Sequence, residues 1–61
     1  MTDAEAIDIA EGMVEARSEE EYYAAWQHLI DRGLAWSLQG WFGRTAFRLI
    51  LAGHCRHPDA A

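Results

Sequence analysis

Hydrophobic residues recur at three- and four-residue spacing near the start of the chain, which is the period of an α-helix. Over residues 3–16 the apolar positions fill one half of a helical wheel, and carboxylates fill the other half. Thr2 and Glu5 have the spacing of a capping box at a helix start. The pattern predicts an amphipathic first helix over about residues 3–16, with Gly12 as a weak position on its polar side. Its apolar positions are Ala6, Ile7, Ile9, Ala10, Met13, Val14 and Ala16.

A second helix is predicted over about residues 19–32. Ser18 and Glu21 form another capping-box pattern, and Gly33 is a natural stop because glycine accepts the left-handed conformation that ends many helices. The connection to the first helix is only a few residues long, so the two helices should pack as an antiparallel hairpin. The apolar stripe of the second helix consists of Tyr22, Tyr23, Ala25, Trp26, Leu29 and Ile30.

The segment of residues 33–53 contains two of the three tryptophans and both phenylalanines. Residues 34–39 are predicted as a short helical turn, and the last helix is predicted over about residues 43–52, ending at Gly53. The fold class is therefore all-α, a small three-helix domain. A core of this size needs large side chains, and four aromatic residues are expected to supply it. They are Trp36, Trp41, Phe42 and Phe47.

The chain of 61 residues is predicted to be a single domain over residues 1–61, with residues 54–61 as a flexible, solvated tail. A lone cysteine permits no internal disulfide, which leaves helix packing, a partner chain or a metal as the source of stability. No apolar run approaches the ~20 residues needed to span a bilayer, and the acidic start is unlike a secretory signal. We therefore expect an intracellular protein without membrane contact.

Charge is divided unequally along the chain. Residues 1–31 carry nine carboxylates against Arg17, a net charge of −8, whereas residues 32–61 carry four arginines against Asp59, a net charge of +3. This asymmetry indicates self-complementarity, either within one chain or between copies. The overall acidity argues against simple nucleic-acid binding, which depends on neutralising phosphates.

Only one cluster has ligand chemistry, and it lies in the predicted tail: His54, Cys55 and His57. Adjacent side chains do not readily face one ion, and no fourth ligand is nearby in the sequence, so we predict no metal site. Cys55 would need an activating base in a shaped pocket to act as a nucleophile. The prediction is a protein that is not an enzyme, with no catalytic residues and no cofactor.

The segment from Leu29 to Gly53, 25 residues long, contains in order the motifs Leu-Ala-Trp, Leu-Gln-Gly-Trp and Gly-Arg-Thr-Ala. With these motifs it resembles small accessory proteins of unknown function from bacteriophages of actinobacteria, mycobacteriophages especially. The resemblance implies a non-virion phage protein in the cytoplasm of the infected bacterial host, and it brings no catalytic residues. An arginine-only set of basic residues is typical of a GC-rich host. The matching positions are Asp31, Gly33, Leu34-Ala35-Trp36, Leu38-Gln39-Gly40-Trp41, Gly43-Arg44-Thr45-Ala46, Leu49-Ile50 and Gly53.

The leading hypothesis is protein–protein binding, directed at a host factor, because tryptophan and arginine are enriched in interface hot spots. The sequence leaves open whether Trp36 and Trp41 point inward or outward, and whether Arg44 and Arg48 instead pair with first-helix carboxylates. One alternative is a homo-oligomeric assembly module. Another is nucleic-acid binding, or DNA mimicry by the acidic residues Asp8, Glu11 and Glu15. The candidate partner-binding residues are Trp36, Gln39, Trp41, Arg44 and Arg48.

Overall fold

The structure, a computed structural model, describes residues 1–58 and contains four helices joined by short connections. No strand occurs in this range, which confirms the all-α prediction. The last three predicted tail residues, 59–61, lie outside the described residues. The helices are α1 (Asp3–Glu11), α2 (Glu19–Asp31), α3 (Leu34–Ser37) and α4 (Gly40–Leu51).

The predicted capping box at the start of α1 is present in both directions. The Glu5 backbone N–H donates to Thr2 Oγ1 at 3.1 Å, and the Thr2 backbone N–H donates to Glu5 Oε1 at 3.0 Å. Two amide groups that a helix start leaves without intrahelical acceptors are thereby satisfied. These bonds also lower the pKa of Glu5, chiefly through the Thr2 backbone N–H.

α1 ends at Glu11, earlier than the predicted position 16. Gly12 has a φ of 78°, the left-handed conformation that glycine adopts without a Cβ clash, and it closes the helix as its C-cap. Its role is therefore to stop the helix rather than to weaken its interior. Met13 and Val14, which we expected on the apolar face of the helix, lie in the connection to α2 and are exposed.

α2 begins as predicted, with a small departure in the cap. The Glu21 backbone N–H donates to Ser18 Oγ at 3.1 Å, but the Glu21 carboxylate accepts from the Arg17 backbone N–H at 3.0 Å, one residue before the cap. The Arg17 guanidinium pairs with the same carboxylate at 3.2 Å. At the other end, Gly33 has a φ of 74°, which confirms it as the stop.

The core is built around Trp26 of α2, which is fully buried. Its ring centroid lies 5.8 Å from that of Phe42 and 6.2 Å from that of Trp41, so side chains join α2 to α4. The Trp26 indole N–H is buried and has no acceptor among residues 1–58, so its stabilising contribution comes from its ring. The remaining buried residues are Ala6, Ile9, Ala25, Leu29, Ile30, Ala35, Ala46 and Cys55.

Polar contacts tie the start of α1 to the end of α2. Asp3 Oδ1 lies 2.7 Å from His28 Nε2 and accepts from Arg32 Nε at 3.2 Å. The His28 contact, and then the Arg32 contact, lower the pKa of Asp3. The two helices pack side by side as the predicted hairpin.

α4 begins at Gly40 rather than 43, with Gln39 as its N-cap residue. Its inner side buries Phe42 and Ala46, but Phe47 is 50% exposed and Leu51 is 71% exposed. The prediction that Phe47 belongs to the core is therefore wrong. Among residues 1–58 no further helix packs on the outer side of α4, because α1 is used to cover α2.

The residues directly after α4 pack against α2, whereas we expected them to be solvated. The His54 ring stacks on Tyr23 with a centroid separation of 4.3 Å, and Cys55 is buried with its thiol 3.7 Å from the Tyr23 carbonyl oxygen. The Gln27 side-chain amide then donates to the Arg56 carbonyl at 2.9 Å and accepts from its N–H at 2.8 Å. The packed part of the chain therefore extends to Arg56.

The first prediction concerns the pH dependence of stability. Because the folded-state pKa of Asp3 lies below its unfolded value of about 3.9, its contribution is present above that pH and is lost as the pH falls through the folded value. Asp3→Asn should therefore unfold at lower urea concentration than wild type near pH 6, and this difference should shrink below about pH 4. The Glu5 cap is common to both proteins and cancels in the comparison. A difference that stays constant down to pH 3 would contradict the Asp3 contacts.

The second prediction tests the packing of residues 54–56. Gln27→Ala removes two hydrogen bonds to Arg56, each contributing about 1 kcal/mol, so local opening should rise about tenfold or more. The Cys55 thiol should then react correspondingly faster with a thiol reagent under native conditions. Gln39→Ala, a change of the same type at an exposed position, should react like wild type. Equal rates in Gln27→Ala and wild type would show that this segment is already open.

Candidate protein-binding face

The outer side of α4 carries a group of exposed apolar and cationic side chains. Positions three and four residues apart lie on the same side of a helix, which places Arg44 beside Phe47 and Arg48 beside Leu51. Trp41 precedes Arg44 by three residues and extends the group toward the start of the helix. We term this surface, together with Trp36 of α3, the α4 face. Its residues are Trp36, Trp41, Arg44, Phe47, Arg48 and Leu51.

Trp36 lies against α4 because Gly43 has no side chain. A Cβ added to Gly43 would stand 3.3 Å from Trp36 Cε3 and 3.4 Å from the Ala35 carbonyl oxygen, closer than ordinary van der Waals contact at the ring. Phe47 is four residues beyond Gly43, so it occupies the same side of α4 one turn further on. Trp36 is 48% exposed in this position, and it continues the α4 face onto α3.

Trp41 belongs partly to the core and partly to the surface. Its ring stacks on Phe42 with a centroid separation of 3.9 Å and meets Trp26 edge-on, with 74° between the ring planes. About a third of the residue remains exposed. An aromatic side chain that is held by the core while one part faces solvent has little conformational freedom left to lose in a further contact.

Arg44 and Arg48 make no ion pair within residues 1–58. The alternative that they pair with first-helix carboxylates is not observed, and the first-helix carboxylate that does pair with an arginine, Asp3, pairs with Arg32. The Arg44 guanidinium folds back over Gly40, where an added Cβ would lie 3.0 Å from Nη1. Both guanidiniums thus remain available to an external carboxylate.

Gln39 is exposed at the start of α4, two residues before Trp41. Its carbonyl accepts from the Phe42 N–H at 3.0 Å, and its side chain makes no capping bond. The Gln39 side chain is therefore exposed beside the start of α4 and takes no part in capping the helix.

Two residues of the α4 face, Phe47 and Leu51, are absent from the predicted set; Phe47 was assigned to the core because of its hydrophobicity. A signal was present in the sequence: α4 has more large apolar positions than one side of a helix can accommodate. With Phe42 and Ala46 buried on the inner side, Phe47 and Leu51 lie opposite them at helical periodicity. A helix that carries large apolar side chains on its outer side as well as its inner side leaves the outer ones exposed unless another surface covers them.

Two residues of the cluster His54, Cys55 and His57 have a structural role: His54 and Cys55 pack against α2. Burial, followed by the charge of Asp31, raises the pKa of the Cys55 thiol, which disfavours the nucleophilic thiolate. Among residues 1–58 no three His, Cys, Asp or Glu side chains are grouped to hold a metal ion. In the same range no helix is long and apolar enough to span a membrane.

A family model described as a domain of unknown function (DUF7417) matches residues 2–60. No curated protein and no solved structure matches the chain. The matched range includes all four helices and the packed segment that follows α4.

The exposure of the tryptophans provides the third prediction. Trp36→Phe with Trp41→Phe leaves only the buried Trp26, so acrylamide should quench the remaining fluorescence much less than it quenches wild type. The emission should also shift to shorter wavelength. The same variant unfolded in urea is the control, and its quenching should rise to that of a solvated tryptophan. Native quenching equal to that of the unfolded control would contradict the burial of Trp26.

Proposed function

The chain belongs to the DUF7417 family, and we propose that it is a binding protein with no chemistry of its own, which docks its α4 face on another protein. The observation that carries this proposal is the joint exposure of Trp36, Phe47 and Leu51 on one small surface. Apolar groups collected in one area of a soluble domain mark an interaction site more often than scattered ones do.

The residue types of the α4 face favour a protein as its partner. Tryptophan and arginine are the side chains most enriched in interface hot spots, and the face has two of each. Trp41 is supported from behind by Phe42, so it loses little conformational freedom on binding. Phe47 and Leu51 supply the apolar centre.

Two guanidiniums beside an apolar centre favour a partner surface that carries carboxylates. Arg44 and Arg48 would each donate to a partner carboxylate in a charge-assisted hydrogen bond, which is shorter and stronger than a neutral one. Charge complementarity of this kind also accelerates association and excludes wrong partners. The partner chemistry is therefore an apolar groove or patch with acidic residues along its edge.

The proposed partner is a host protein, and the proposed setting is the cytoplasm of an infected actinobacterium. Support comes from the resemblance of residues 29–53 to accessory proteins of actinobacteriophages and from the use of arginine alone as the basic residue. A small accessory protein without a catalytic site acts most simply by occlusion, covering a surface that the host protein needs.

The structure offers less support for nucleic-acid binding. α3 spans four residues, about one turn, which is too short for a recognition helix in the major groove. For the mimicry of DNA charge, Asp8 and Glu11 belong to α1, but Glu15 lies in the connection that follows it, so the three do not form one helical row.

The fourth prediction tests the α4 face. Wild-type chain carrying an affinity tag should enrich one host protein from a nuclease-treated actinobacterial lysate, identified by mass spectrometry and then purified. Phe47→Ala with Leu51→Ala should weaken binding to that purified protein by at least about tenfold, because hot-spot truncations cost about 2 kcal/mol or more. Arg44→Ala with Arg48→Ala should weaken it as well, mainly by slowing association.

Met13→Ala is the matched control, since Met13 is 76% exposed and lies outside the α4 face. It should bind the partner like wild type, and helical circular dichroism should be unchanged in every variant. A folded Phe47→Ala/Leu51→Ala protein that binds with wild-type affinity would refute the α4 face as the binding site.

A further inference from the structure

A cavity of about 380 Å³ lies where α1, its following connection and the start of α2 meet. Its apolar lining is provided by Ile9 and Val14, and carboxylates stand around it. The size falls within the range of pockets that enclose a ligand side chain or a small molecule. We term it the acid-rimmed cavity; its main lining residues are Met1, Glu5, Asp8, Ile9, Val14 and Glu15.

The carboxylates of this cavity differ in what they already bind. Glu5 accepts from the Thr2 backbone and is close to the N-terminal amine, and Glu21 pairs with Arg17, the one guanidinium in the lining. Asp8 and Glu15 make no ion pair within residues 1–58. Two carboxylates beside an apolar surface therefore remain available to external cations.

The α4 face has the complementary composition. It presents Phe47 and Leu51 as exposed apolar side chains and Arg44 and Arg48 as two guanidiniums without a partner among residues 1–58. Within one chain the two surfaces are on different elements, since α1 packs on α2 while α4 packs on α3 and reaches the core through Trp26. A second copy can therefore bring the two complementary surfaces together.

We propose that the acid-rimmed cavity of one copy receives the α4 face of a second copy, so that the protein associates head to tail. Phe47 and Leu51 of the second copy would pack on Ile9 and Val14, and its arginines would pair with Asp8 and Glu15. The unequal charge of the two halves of the chain, −8 over residues 1–31 and +3 over residues 32–61, favours this orientation over face-to-face pairing, which would bring four arginines together.

This inference rests on the proposed function, because it uses the same α4 face. The second copy and the host partner are then competing occupants, and self-association keeps the face covered until an acidic partner displaces it. A head-to-tail contact uses two different surfaces, so it leads to open chains or rings rather than to a closed symmetric dimer.

The experiment uses two complementary variants in sedimentation velocity. The cavity variant, Asp8→Arg with Glu15→Arg, keeps an intact α4 face, and the face variant, Arg44→Glu with Arg48→Glu, keeps an intact cavity. Wild type should increase in mass with concentration. In the same concentration range each variant alone should stay at the 6.9 kDa of one chain, because the apparent dissociation constant of its self-association is raised at least about tenfold. Each variant retains one intact surface. In a solution of that variant alone, the intact surface meets an altered surface that carries charge of the same sign.

Two neutral variants supply the matched control. They test the same contact if the charge-reversed variants fail to fold. Asp8→Asn with Glu15→Gln should weaken self-association, and Glu11→Gln with Glu20→Gln, which produces the same net charge outside the cavity, should leave it unchanged. Adding the cavity variant to wild type should also stop the growth of head-to-tail chains. Its intact α4 face binds a wild-type cavity, but its own altered cavity does not bind a further α4 face. Mean mass should fall as its share rises.

Two results would overturn the inference: a wild-type mass that stays at one chain at every concentration, or a cavity variant that associates as wild type does. The proposed function is tested separately, since the cavity variant keeps the α4 face. If the cavity variant binds the host partner and wild type does not self-associate, only the head-to-tail association is contradicted. If wild type self-associates through the cavity and the α4 face binds no host protein, only the proposed function is contradicted.

Discussion

The burial of Trp26 is the constraint on which the rest of the structure depends. Its fully buried ring meets Phe42 and Trp41, and through these contacts α2 is joined to α4. A chain of 61 residues hides only about 60% of the surface that its unfolded form exposes, so one large buried ring supplies a substantial part of the core. α1 also packs on α2, and its own stop at Gly12 limits how much more it can cover.

The exposed surface follows from the same constraint. Once Phe42 and Ala46 fill the inner side of α4, no described helix remains to cover Phe47 and Leu51. The apolar residues of α4 thus suffice for contacts on both its inner and its outer side, but the described helices cover only the inner side. The proposed protein-binding role and the proposed head-to-tail association both start from this excess, and in both proposals arginine supplies the charge that selects an acidic counterpart.

Local patterns in the sequence were sufficient to predict the features that depend on near neighbours. The caps at Thr2 and Ser18 and the buried stripe of α2 are examples, because they depend on residues within one or two turns. The short connection also predicted the α1–α2 hairpin, but the individual side-chain contacts between distant residues were not predicted. The burial of Cys55 requires Gln27, nearly thirty positions away, to bind the backbone of Arg56, and a polar segment gives no sign of that pairing. The binding-face residues chosen from the sequence remain predictions, with Phe47 and Leu51 added by the structure.

The most direct test of this account is the solvent exposure of α4 in the isolated chain. Methyl and aromatic NMR signals would be recorded at a concentration where the chain is monomeric, with and without a soluble paramagnetic agent. The account predicts strong broadening of Phe47 and Leu51 and protection of Phe42 and Ala46. Equal protection of Phe47 and Phe42 would contradict it, because the outer side of α4 would then be covered and would present no binding surface.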